Sequence, residues 1–94
     1  MSVPGLIAMQ RLLDTAIAEV EQWQESPTVE DIPPHRVLNI RDKLRALRGC
    51  GSVGLLRTGM AHVSGSITLL GVPPSELAPS FLKLHALLDD RQRP

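Results

Sequence analysis

Gly49, Gly51 and Gly54 stand in the order G-x-G-x-x-G within RALRGCGSVGLLRTG, residues 45–59. In a dinucleotide-binding unit that spacing lets backbone amides close around a pyrophosphate. The chemistry also needs a strand before the loop, a helix after it, and an acid about twenty residues on for the ribose. Here VLNIRDKLRALR precedes the loop, and its apolar spacing is helical. Glu76 lies at roughly the right distance but in a different helix, and no Gly-Lys-Ser/Thr completes a P-loop. The glycines therefore read as a turn. Gly49 and Gly51 let one helix end, Ser52 caps the next, and Gly54 opens a small-residue face with Ala61 and Gly65 that another helix can approach closely.

Other reactive side chains form no set. His35, His62 and His85 lack metal-ligand spacing, and Cys50 is the only cysteine. No G-x-S-x-G elbow occurs, and tyrosine is absent. The expectation is a chain with no catalytic residues, no cofactor and no metal, hence not an enzyme.

Arg41, Arg45 and Arg48 recur at i, i+4 and i+7, one stripe on a helix. Such a stripe suits a phosphate backbone or an acidic partner. The same chain also offers a neutralising partner: Asp14, Glu21 and Glu25, at i, i+7 and i+11 on the first helix. Residues 1–33 hold Arg11 against six acids, and residues 34–60 hold six cations against Asp42 alone. The formal net charge of zero gives no general pull toward nucleic acid, so pairing between the two helices, within the chain or across a dimer, is the favoured reading.

The segment ITLLGVPPSELAPSFLKL, residues 67–84, resembles the turn of a helix-turn-helix, with Gly71-Val72 at the turn and Leu77 at a core position. The resemblance implies a recognition helix after Pro74. Pro79 inside that helix and Ser80 at an aliphatic position depart from the pattern. A DNA-binding regulator, using this motif or the basic helix 36–48, is thus the alternative reading.

Four elements must carry these residues. Leu6, Met9, Leu13, Ala16, Val20 and Trp23 mark a helix near 4–25; Val37, Ile40, Leu44 and Leu47 one near 34–48; Val53, Leu56, Met60, Val63, Ile67 and Leu70 one near 52–70; Leu77, Phe81, Leu84 and Leu88 one near 74–91. Ser2 and Ser52 suit N-caps, Gly49 and Gly71 left-handed C-termini, and the Pro33-Pro34 and Pro73-Pro74 pairs helix entry. Pro79 predicts a kink in the fourth helix. IPPHRVLNIRDKLRAL (32–47) aligns with VPPSELAPSFLKLHAL (72–87) at an offset of 40 residues, and the stripes of helices one and three share that register. The prediction is an all-α single domain, 1–94, of two αα-hairpins, a tandem repeat over 1–48 and 49–94. Two copies either fold back as a four-helix bundle or cover their spare apolar surface with a partner.

The chain has 94 residues, only two of them aromatic, Trp23 and Phe81. Helices suit a core of Leu, Ile, Val and Ala. The lone cysteine fits a reducing, cytoplasmic setting; no leader or membrane span is expected. Rich use of Arg, Ala, Gly and Pro fits a GC-rich bacterium, a phage or a mobile element. The functional expectation is a small non-enzymatic protein-interaction module: a regulator, inhibitor or chaperone-type adaptor. It would act through Leu-rich helical faces on another protein or, as a homodimer, on its own second copy. Met9, Trp23, Met60 and Phe81 are the candidate contact anchors, because Trp dominates binding hot spots and Met adapts to irregular surfaces, with plain core packing the alternative for each.

Overall fold

Prolines without amides, a serine that accepts one, and a glycine free to turn left-handed set most of the helix ends. The computed structural model describes the backbone of residues 3–27 and 31–92 and the side chains of 7–27 and 31–88. Among them run α1 (Val3–Glu25), α2 (Pro34–Leu47), α3 (Val53–Leu70), α4 (Pro74–Leu77) and α5 (Pro79–Gln92), with no strand. The chain is an all-α domain. The Ser2 cap and the Leu6 side chain lie outside the described residues.

Pro33 and Pro73 stand at the N-caps of α2 and α4, each followed by Pro34 or Pro74 in the first turn, where a missing amide costs nothing. Ser52 Oγ accepts from the Leu55 amide at 3.2 Å and caps α3. Gly71 ends α3 at φ 87°, a conformation that disfavours any residue with a Cβ. Gly49 does not take that conformation: among the described glycines only Gly71 has positive φ. Instead α2 closes in a right-handed turn, with Arg48 as C-cap and the Gly49 amide on the Ala46 carbonyl at 3.2 Å.

The fourth helix predicted over 74–91 is two helices. Proline forces the residue before it out of the helical region, and Ala78 sits at φ −154°, ψ 80°. Pro79 then starts α5 afresh. The new N-terminus needs acceptors for its amides; the Ala78 carbonyl accepts from Phe81 at 2.9 Å, but Ala78 has no side-chain acceptor for the amide of Ser80. Glu19, on α1, supplies it. The Ser80 amide donates to Glu19 Oε1 at 2.9 Å, and Ser80 Oγ donates to Oε2 at 3.0 Å. A carboxylate beside the positive end of a helix dipole is also favourable electrostatically. Ser80 is buried, and its position corresponds at the 40-residue offset to the buried Ile40.

α1 packs along α2 on one side and α5 on the other; α3 also packs against both, so α1 and α3 form the diagonal pair. The two predicted hairpins thus interleave into one core rather than standing apart. Met9, Leu13, Ala16 and Val20 from α1 meet Val37, Ile40 and Leu44 from α2, Leu56, Met60, Val63 and Ile67 from α3, and Leu77, Phe81 and Leu84 from α4 and α5. All are buried. The close approach of α2 and α3 occurs at Gly59, where a Cβ would overlap the Leu47 side chain. At Gly54 and Gly65 a Cβ would meet nothing, so that small-residue face has no helix of this chain upon it.

Two outcomes follow in denaturant melts. Leu44→Ala or Leu84→Ala costs about 2–5 kcal/mol, since each truncates a fully buried side chain; a loss under about 1 kcal/mol would show that these stripes are not buried on folding. Glu19→Ala costs about 2–3 kcal/mol, because it orphans a buried amide and hydroxyl. Ser80→Ala costs less, and the double variant costs less than the two singles summed. Simple additivity would refute the cap.

Candidate functional site

The four candidate anchors lie inside the molecule. Met9, Met60 and Phe81 are at most 1% exposed and Trp23 is 7% exposed. Each sits on the inward stripe of its helix, so the chain's own packing takes the surface that sequence reasoning had offered to a partner. Only an edge of Trp23 shows, in a groove with Glu19, Gln22, Glu76 and Pro79.

The arginine stripe faces α1. Arg45 Nη2 lies 3.1 Å from Glu21 Oε2, and Arg48 Nε lies 2.7 Å from Asp14 Oδ1. Arg41 reaches Asp42 at 3.0 Å on its own helix and Glu21 at 3.9 Å. Asp14 and Glu21 of the acidic stripe therefore neutralise the basic one within the chain. These groups are partly exposed, so each pair contributes little to stability, but the pattern favours this pairing of α1 with α2.

The other sequence motifs fall as follows. α2 runs up to the glycine loop, so no strand precedes it. His85 stacks obliquely on Phe81, with ring centroids 6.4 Å apart, and among the described residues no three His, Cys, Asp or Glu side chains converge on one point. The segment 67–84 does follow a helix with a turn at Gly71, but α4 ends after four residues. Leu77, Ala78, Ser80, Phe81 and Leu84 are buried, so the continuous recognition helix implied by the helix-turn-helix resemblance is not formed.

The surface that remains is the outer side of α3. Leu55, Thr58, Ala61, His62, Gly65 and Leu69 are all exposed there. At 100° per residue they fall within one arc, opposite the buried Leu56, Met60, Val63 and Ile67. Leu55 is 62% exposed and Leu69 79%, the largest values among the described large apolar side chains. The hydroxyls on and beside this face are used inside the helix. Thr58 donates to the Gly54 carbonyl at 3.2 Å and Thr68 to that of Ser64 at 3.0 Å. Arg57, the only charged residue of α3, turns toward α5 and donates to the Leu88 carbonyl at 3.4 Å. By contrast, Arg11, Asp14 and Glu25 are exposed on α1, and Arg36, Asp42, Arg45 and Arg48 on α2. The signal was present in the sequence as an eighteen-residue helix with one charge.

An apolar groove on the outside of α1 is lined by Ile7, Ala8, Leu12 and Thr15 together with the charged Arg11. No described helix is long and apolar enough to cross a membrane. The chain matches no protein-family model, no curated protein and no solved structure.

Arg45→Ala and Arg48→Ala each cost less than about 1 kcal/mol in urea melts, and less again at high salt. A loss as large as that of Leu44→Ala would mean that charge, rather than apolar burial, holds α1 to α2.

Proposed function

We propose that this chain is a small, non-enzymatic protein-interaction module that pairs with a second copy of itself through the outer face of α3. The observation that carries the reading is the uncharged face between Leu55 and Leu69, with both leucines open to water. Burying apolar area is the general driving force for association, at about 25 cal/mol per Å².

The argument for a second copy is electrostatic. In a two-fold dimer the same patch lies on both sides, so any charge near the axis meets its own kind. The outer faces of α1 and α2 carry charges that would do so, whereas α3 presents none. Gly54, Ala61 and Gly65 also leave the backbone accessible over this face, so a partner helix can come close. The helix has 18 residues, about 27 Å at 1.5 Å each. Such a contact falls toward the small end of specific interfaces, below about 1,200 Å² in total. The dimer is therefore expected to be reversible and concentration-dependent. Neutralisation of Arg41, Arg45 and Arg48 by acids of the same chain supports this reading over phosphate-backbone binding.

Sedimentation velocity over a concentration series tests it. The protein shows a monomer–dimer equilibrium. Leu55→Glu and Leu69→Glu shift it to monomer while the thermal melt of dilute protein changes little, since both sites are exposed. A monomer at every concentration would overturn the proposal, as would a dimer that both variants leave intact.

A further inference from the structure

The cations of α2 fall into two sets on opposite sides of the helix. Arg41, Arg45 and Arg48 face α1 and its acids. On the side toward α3, His35, Arg36, Asn39 and Lys43 line a groove of about 330 Å³, whose other wall is Ser66, Leu69 and Leu70. Among the described residues no acid lines this groove, and Asp31, three residues before α2, lies outside it. The described lining is thus a local excess of positive charge in a chain of zero net charge.

Two further features sharpen the groove. Lys43 Nζ donates to Ser66 Oγ at 2.7 Å, and Ser66 Oγ in turn donates to the His62 carbonyl at 3.3 Å. The serine is neutral, so it fixes the ammonium in place without cancelling its charge, and two of the three ammonium N–H groups remain to donate. At the groove's other end, beside His35 and Arg36, α2 begins with Pro33 as a cap that offers no side-chain acceptor, and its first turn holds no acid. The positive end of the helix dipole therefore adds to the charge of Arg36.

We propose that this groove is a docking site for an acidic segment of a partner protein, with carboxylates on Arg36 and Lys43 and an apolar side chain against Leu69. Charge complementarity selects the carboxylates: an arginine fork and a positioned ammonium, with Asn39 between them as a further donor. The apolar side chain is selected by Ile40, Leu69 and Leu70, which supply the rest of the lining. A bare phosphate or a nucleic-acid backbone leaves that apolar part unused, and the arginines that would extend the contact along a polyanion are already paired on the far side of α2. The groove shares Leu69 with the proposed α3 dimer, so the two contacts compete for that side chain.

The test uses the full chain carrying Leu55→Glu, so that self-association does not enter. The probe is a fluorescein-labelled peptide of glutamates interspersed with leucines, read by anisotropy. The same peptide with glutamine for glutamate, inorganic phosphate and a short DNA duplex serve as competitors. The glutamate peptide binds, and the glutamine peptide and phosphate do not displace it. Arg36→Glu with Lys43→Glu weakens binding at least about tenfold, and Arg36→Gln with Lys43→Gln weakens it by less. Arg11→Glu with Lys83→Glu makes the same change in net charge at exposed sites elsewhere, and leaves binding within about twofold. Circular dichroism shows that all variants keep their helices. Failure of the glutamate peptide to bind, equal losses in the two glutamate pairs, or displacement by DNA or phosphate would each overturn the assignment.

Discussion

The structure depends on the burial of one aliphatic stripe, the inner side of α1. Met9, Leu13, Ala16 and Val20 are fully buried along it. With only Trp23 and Phe81 as aromatics, no single large side chain anchors the core. Many small apolar contacts must close together, and they close only if three other helices present matching stripes at the same depth. A domain of this size has thin stability to spare. The break in the last helical segment and the tightest helix contact are therefore each accommodated by a particular residue.

The first is the break at Ala78–Pro79. A continuous helix over 74–91 would satisfy its own amides but would have to hold Ala78 in a conformation the following proline disfavours. The chain breaks instead, and the amide exposed by the break is met by Glu19 from the diagonally earlier part of the sequence. The second is the tight contact of α2 with α3, possible because residue 59 is glycine beneath Leu47. Both devices serve one end: they keep α5 and α3 close enough for Phe81, Leu84, Met60 and Val63 to reach the α1 stripe.

Once the core is closed, the polar surface sorts itself by face. Acids on α1 and arginines on α2 cancel where those helices meet. Among the described residues, α3 contributes no charge to the outside, and the cations on the other side of α2 have no acid in the groove they line. The molecule thus offers three distinct surfaces: a neutralised charged seam, an uncharged helix face and a small cationic groove. The last two adjoin at Leu69. The proposals built on them are proposals of recognition.

By itself the sequence determined the class, the number of long amphipathic segments and three of their boundaries, and it set opposite charges at helical spacing on α1 and α2 without saying whether they pair within the chain. These are local or periodic properties: a stripe every three or four residues, a proline without an amide, a serine three residues before an amide, charges at helical spacing. The inward placement of Met9, Trp23, Met60 and Phe81 followed from the same stripes, yet sequence alone does not say whether a stripe is covered by its own chain or by another. The tertiary structure decided that, because covering α1 takes α2 and α5 together. It also decided the cap on α5, which joins Glu19 to Ser80 across 61 residues, and the groove, which joins Lys43 to Ser66 across 23. Such pairings have no periodic signature. They exist only once the packing of the aliphatic core has brought the helices that carry them side by side.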